Sequence, residues 1–156
     1  MRKNELDKTD RRILTTLQGD GRITNAELAQ RINLSPSACL RRLQSLEDSG
    51  VISGYVALVN QEAIGKPTNI FVEVTLISQS EELLNAFEIA VQECAEIMEC
   101  YLMSGEADYL IRVIAADTQD YERIHKQYLT RLPGVARLRS SFALRAVCKK
   151  TAIDLS

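Results

Sequence analysis

The sequence has one histidine, His125, and four scattered cysteines, Cys39, Cys94, Cys100 and Cys148, with no CxxC pair among them. That inventory leaves no recognisable zinc or thiol-redox motif. With nothing pointing to secretion, the cysteines read as buried or idle thiols and not as a disulfide framework. A Gly-rich phosphate loop is missing, and His125 has no assigned acid or nucleophile partner, so no catalytic residue, metal site or cofactor is assigned. No apolar run approaches the roughly 18 residues a membrane helix needs. The opening Met1-Arg2-Lys3-Asn4-Glu5 leads into a charged helix and not an apolar signal core. A soluble cytoplasmic chain with no membrane partner is the expectation. Aromatics are absent before Tyr55, which disfavours an RNA reader built on base stacking.

What is present is globular: 156 residues, 46% hydrophobic and 26% charged, enough for one ordinary domain or two small ones. A net charge of −2 does not advertise a nucleic-acid partner, but it is unevenly spread, +2 over residues 1–60 and −4 over 61–156. A mildly basic front joined to an acidic back fits a DNA-binding part carried by another. No internal repeat or low-complexity tract appears.

The front half reads as three helices. Asp7 caps the first, with Asp10 adding negative charge near its start, and Ile13, Leu14 and Leu17 form the inward stripe. Gly19-Asp20-Gly21 stops it. Thr24-Asn25-Ala26-Glu27 is a capping box, with Ile23 and Leu28 as its hydrophobic staple. The second helix ends near Asn33, a residue that tolerates the left-handed conformation. Ser35-Pro36 restarts the chain as a third helix, closed by Gly50. Two short helices across a tight turn make a helix-turn-helix, and Val51 to Val59 reads as a short exit strand.

The back half changes period. Ile70 to Ile77 reads as a strand, Ser80 to about Cys94 as a helix, and Ile97 to Met103 and Tyr109 to Ala115 as paired strands. A helix from Thr118 to Leu132, capped by Asp117, ends at Pro133-Gly134, and Val135 to Val147 is a long last strand. The order βαββαβ is ferredoxin-like, an antiparallel sheet with two helices on one face. An oligomer is the simplest cover for the other face. Residues 60–68 read as the linker, so the expected domains are 1–60 and 61–156.

On the third helix Cys39, Leu40, Leu43 and Leu46 share one face, and Ser37, Ala38, Arg41, Arg42, Gln44 and Ser45 lie opposite. A recognition helix needs this split, an apolar stripe for docking and polar side chains for base edges. Arg41 suits guanine and Gln44 adenine. Arg42, Arg22, Arg2 and Lys3 suit phosphates. Ser35 and Pro36 complete the DNA-facing set at the helix start.

The sequence resembles the leucine-responsive regulatory protein/AsnC (Lrp/AsnC) regulators. The resemblance is carried by Leu6-Asp7-Lys8-Thr9-Asp10-Arg11-Arg12-Ile13-Leu14, Asp20-Gly21-Arg22-Ile23-Thr24-Asn25, the run Leu34 to Leu43, and Gly50-Val51-Ile52-Ser53-Gly54-Tyr55. It continues through Glu99 to Leu110 and Arg131-Leu132-Pro133-Gly134-Val135. The resemblance implies an α+β chain with an N-terminal winged helix-turn-helix and a C-terminal ferredoxin-like domain for effector binding and oligomerisation. It further implies double-stranded DNA as partner, an amino-acid effector held between subunits, and dimers that assemble into octamers or larger at the nucleoid. Leu102, Met103, Ser104, Gly105, Glu106 and Asp108 look like the family's effector loop. Gly105 would let backbone approach the ligand, and Asp108 would pair with its ammonium. Tyr128, Ser140 and Ser141, with Ile70 and Phe142, are further pocket or interface candidates. The bulky Tyr128 and small Ser140-Ser141 suggest a reshaped pocket.

Two other classes stay in view. One is a non-catalytic amino-acid-binding or scaffolding module whose front half binds RNA or protein. The other is a small ferredoxin-like enzyme using His125 near Tyr121 and Tyr128.

Overall fold

The structure is a computed structural model that describes residues 6–155. Arg2 and Lys3, expected at DNA phosphates, lie outside the described residues. The chain divides into two compact units, one made of residues up to Leu58 together with those from Val147 onwards, the other Val59–Ala146.

The first unit contains α1 (Lys8–Gly19), α2 (Asn25–Ile32) and α3 (Pro36–Asp48). Each begins where a side chain can satisfy orphan backbone donors. Asp7 accepts from the Asp10 N–H, and Asp10 accepts in return from that of Asp7, a reciprocal cap made of two aspartates. Thr24 and Glu27 do the same for α2, and Ser35 caps α3 with Pro36 in the first turn. Asn33 adopts the left-handed conformation (φ 59°) that turns the chain between α2 and α3. Ile13, Leu14, Leu28, Ala29, Ile32, Cys39 and Leu46 form the buried core.

Two features of this unit depart from the sequence reading. Residues 51–59 form no strand ladder among the described residues. Val56 and Leu58 stand largely exposed, because a strand needs a neighbour for its backbone groups and this unit supplies none. The second departure is the tail. Residues from Val147 were expected with the back half, yet they group with the front. Leu155 packs on its core, and its carbonyl accepts from Arg11 Nη1 at 2.7 Å. The Gln18 side-chain amide donates to the Ile153 carbonyl (3.0 Å) and accepts from its N–H (2.6 Å). That amide therefore offers Ile153 the pair of bonds a neighbouring strand would. An apolar groove of about 750 Å³ runs here between Leu14, Leu17, Val51, Ile52, Ile153 and Leu155.

The second unit runs β1 (Thr68–Leu76), α4 (Glu81–Val91), β2 (Ile97–Leu102), β3 (Tyr109–Ala115), α5 (Thr118–Gln127), a 3-10 turn (Leu129–Arg131) and β4 (Val135–Phe142). The sheet order is β2-β3-β1-β4, antiparallel throughout, as the ferredoxin-like reading requires. The inward residues Ile70, Val72 and Val74 of β1 and Tyr109, Ile111 and Val113 of β3 pack with Phe87, Val91, Tyr121 and Ile124 of the helices. Phe87 and Tyr109 stack with ring centroids 4.4 Å apart.

Ends differ from the sequence reading for local reasons. β4 ends at Phe142, opposite Ile70, and not at Val147; the Ala143 N–H still donates to the Asn69 carbonyl at 2.9 Å, just past the end of the strand. The helix expected to reach Cys94 ends at Val91, and its last carbonyls are taken by tight i→i−3 bonds from Gln92, Glu93 and Cys94. The expected helix to Leu132 breaks at Tyr128 into the 3-10 turn. Residues 60–65, expected as linker, form a turn closed by the Asn60 side chain. Lys66 then pairs with Asp120 at 3.0 Å. The Ala116 N–H, Arg123 and Lys66 together hold the Asp120 carboxyl far below its ordinary range. No helix among the described residues is long and apolar enough to cross a membrane.

Candidate DNA interface and effector loop

Helix α3 is docked by Cys39 and Leu46, both buried, with Leu43 packed behind them. The Asn25 side-chain amide donates to the Pro36 carbonyl at 2.9 Å, tying the start of α2 to the start of α3. This leaves Ser35, Pro36, Ser37, Arg41, Gln44 and Ser45 exposed, as the sequence reading placed them, while Ala38 is half-buried. Arg22 is exposed beside the turn before α2.

Two assignments on α3 change. Leu40 does not join the docking stripe. It is 43% exposed, between Ser37 and Gln44 on the outer face, where an apolar side chain suits a thymine methyl. The i, i+3, i+4, i+7 spacing of Ser37, Leu40, Arg41 and Gln44 carried that signal, but a leucine was assigned to the core by type. Arg42, assigned to phosphates, is engaged within its own unit through one guanidinium nitrogen. Its Nη1 contacts Asp7 at 2.8 Å and Asp10 at 2.7 Å. The Asp10 backbone N–H and then the Arg42 guanidinium hold the Asp7 carboxyl below its ordinary range.

In the second unit, Leu102 ends β2, and Met103 to Asp108 connect it to β3. The Met103 N–H donates to the Asp108 carbonyl at 2.8 Å, and the Asp108 N–H to the Val74 carbonyl at 2.9 Å. Leu102, Met103, Ser104, Gly105 and Glu106 are exposed. Asp108 is 6% exposed. One of its carboxylate oxygens accepts from the Leu76 N–H (2.7 Å), the other from the Gln79 amide (2.6 Å). The sequence reading gave this carboxylate to a ligand ammonium; the fold gives it two internal donors. Gln79 was not singled out in the sequence, since its partner is 29 positions away.

Gly105 behaves differently. A methyl group added there would meet nothing within 4 Å, and its backbone is not in the left-handed region. Turn geometry does not require glycine here. What the glycine leaves is open space over an exposed backbone.

The remaining effector candidates are not gathered at this loop within one chain. Ser140 faces the helices, where its hydroxyl meets Tyr121, and Ser141 lies opposite Phe71 on the other face. Phe71 is three residues along β1 from Val74, the loop's anchor, or roughly 10 Å. Tyr128 caps the end of α5 and is 38% exposed. Ile70 is fully buried core and leaves the pocket set, while Phe142 packs edge-on against Tyr121.

Burial pushes the thiols of Cys39 and Cys94 up and that of Cys100 to about 11, so they behave as small hydrophobes at neutral pH. Cys100 and Tyr109 line an open cavity of about 460 Å³ between α4 and β2, to which the effector-loop residues do not contribute. His125 is half-buried with its ring edge-on to Tyr121. Among the described residues no cluster of three or more His, Cys, Asp or Glu is placed to hold a metal.

A capped helix-turn-helix joined to a βαββαβ unit defines a DNA-binding regulator with an attached ligand-binding domain. Residues 6–53 match the winged helix-turn-helix DNA-binding family, and residues 69–153 match the Lrp/AsnC ligand binding domain. The chain belongs to the Lrp/AsnC family of transcription regulators. It is 42% identical to the leucine-responsive regulatory proteins of Salmonella typhimurium and Escherichia coli over 143 residues, 92% of this chain and 87% of theirs. An AsnC family transcriptional regulator from Agrobacterium tumefaciens superposes with a TM-score of 0.91 at 35% identity, covering 96% of this chain and 97% of its own. A transcriptional regulator from Neisseria meningitidis, solved as its L-Met complex, gives 0.90 at 36% over the same shares. The feast or famine regulatory protein of M. tuberculosis, complexed with L-methionine, gives 0.82 at 33%, covering 95% and 98%.

Proposed function

We propose that this regulator reads duplex DNA in the major groove with the outer face of α3 and that an amino acid bound at the Leu102–Asp108 segment alters its assembly. The unit holding α1–α3 is the DNA-binding domain, and Val59–Ala146 is the effector-binding and oligomerisation domain. The observation that carries the reading head is the exposed strip Ser37, Leu40, Arg41, Gln44 and Ser45 on a helix capped at its start and docked by Cys39 and Leu46. Arg41 contributes the forked donor that suits guanine, with Arg22 towards the phosphates. Arg41→Ala is expected to cost about 1–3 kcal/mol and relax preference at one base pair. Quantitative binding to a duplex selected from a random-sequence pool, and to its single-base variants, checks this. A uniform loss over all variants would make Arg41 a phosphate contact.

The effector half rests on Gly105. Open space over its backbone allows loop N–H groups to receive a carboxylate. Tyr128, Ser140 and Ser141 are not assembled with the loop in one chain, and neighbouring subunits are their route into a shared pocket. The half-exposed Phe71 and Tyr101 on the helix-free sheet face support burial between copies in a dimer and in octamers or larger. The methionine held by two solved relatives makes methionine the first amino acid to test. A binder raises the melting temperature by mass action, so a thermal screen of the amino acids identifies it. Gly105→Ala should weaken or abolish that stabilisation while leaving the unliganded melting temperature little changed, because a β-carbon there meets nothing within 4 Å. An undiminished response would remove the ligand from this loop. The protein works without catalysis, cofactor or metal, in the cytoplasm at the nucleoid.

A further inference from the structure

Hydrophobic packing holds α3 against α1 and α2, but packing has no direction of its own. Cys39, Leu43 and Leu46 set which face of α3 turns inward, and directional contacts fix the rotation more finely than apolar burial does. That rotation decides whether Arg41 and Gln44 meet base edges. Asn25 gives the start of α3 one directional contact to α2, through the Pro36 carbonyl; beside the base-reading residues, Arg42 supplies the directional contact to α1. Its Nη1 reaches Oδ2 of Asp7 and Oδ1 of Asp10, at 2.8 and 2.7 Å. The remaining oxygens of the same two aspartates form the reciprocal cap at the start of α1, Oδ1 of Asp7 accepting from the Asp10 N–H and Oδ2 of Asp10 from that of Asp7. All four carboxylate oxygens are therefore engaged. Two carboxylates three residues apart repel each other, and the guanidinium between them offsets that repulsion with charge-assisted bonds of defined geometry.

We infer that Arg42 is a positioning residue for DNA reading, which locks the rotation of the recognition helix to the cap of α1 through Asp7 and Asp10 and makes no phosphate contact of its own. The inference rests on the assignment of α3 as the reading head. It separates neighbours that look alike in the sequence: Arg41 touches DNA, and Arg42 aims it.

The two roles make opposite predictions for Asp10→Asn, which keeps an acceptor for the Asp7 N–H but removes half the ion pair. If Arg42 only positions, the loss loosens α3, and affinity for the selected duplex falls by roughly tenfold, as for a displaced base contact. If Arg42 binds phosphate, freeing it and removing a negative charge leaves affinity equal or tighter. The test uses the full-length protein, wild type, Arg42→Gln, Asp10→Asn and the double variant. Each is titrated across a salt series against the selected duplex and a scrambled one, with thermal midpoints recorded. The expected result is similar losses on the selected duplex for both single variants and a double variant no worse than either. The scrambled duplex should be unaffected and the salt slope unchanged. A slope reduced by about one in Arg42→Gln, with Asp10→Asn binding at least as tightly as wild type, overturns it. Should Arg42→Gln fail to fold, the sign of the Asp10→Asn effect decides alone. A wild-type protein that prefers no duplex would instead sink the reading-head assignment, a result distinct from either.

Discussion

Gly134→Ala is expected to lower the stability of the Val59–Ala146 unit by about 2–4 kcal/mol, a drop in its melting temperature on the order of 10–20 °C. Two costs combine. Gly134 has φ 69°, in the left-handed region, which costs a side-chain-bearing residue roughly 1 kcal/mol. The added methyl would also lie 2.5–2.7 Å from three side-chain carbons of Leu83. Leu83 is partly buried against the core, so to yield its side chain must leave that packing. The Gly134 carbonyl meanwhile accepts from the Ile77 N–H at 2.9 Å, so the turn cannot simply swing away. Gly65→Ala is the matched control: its φ is 71°, but a methyl there meets nothing within 4 Å. Thermal unfolding of the two variants side by side isolates the packing cost, and equal losses would mean that Leu83 imposes none.

Asp108→Ala is the second large effect. It strands the buried Leu76 N–H and frees Gln79, at a cost of about 2–3 kcal/mol, and should abolish any response to effector because the loop loses its anchor. Asp108→Asn distinguishes anchoring from ligand contact. Its amide oxygen can still accept from Leu76, and Gln79 can turn its own carbonyl to the new NH2 group, so stability should stay within about 1 kcal/mol. The effector response should survive with it. A well-folded Asp108→Asn protein with no response would instead put the carboxylate on the ligand's ammonium, as the sequence suggested. Melting temperatures with and without amino acid decide between them.

Asp108 marks the limit of what local sequence carries. Caps are local, so Asp7, Thr24, Ser35 and Asn33 announce helix boundaries within three or four residues, and the front three helices were legible for that reason. The runs of strand-forming residues from Ile70 to Ile77 and from Tyr109 to Ala115 likewise announce the βαββαβ order. Long-range partners leave no such mark. Asp108 meets Gln79 29 positions away, Arg42 meets Asp7 across 35, and Ser140 turns inward to Tyr121. Each polar side chain was read as free for a ligand because its internal partner was not adjacent in sequence. Leu40 failed in the opposite sense, an apolar residue assigned to the core that faces out. Residues 51–59 have the composition of a strand, but composition cannot supply the second strand.

The docked tail has a consequence for how the protein comes off the ribosome. Arg11 and Leu155 are separated by 144 positions, so at about 5–20 residues per second the tail follows the helix it straps by on the order of ten seconds. In that interval the helix-turn-helix core, complete by Leu46, can form with its apolar groove beside Leu14 and Leu17 still open. The whole of Val59–Ala146 is made before Ile153 and Leu155 arrive to line that groove. A chain interrupted during translation therefore carries an unstrapped head with exposed apolar surface, the mark by which chaperones and proteases sort incomplete products. Completion of the DNA-binding unit thus reports that the ligand-binding unit has already been synthesised.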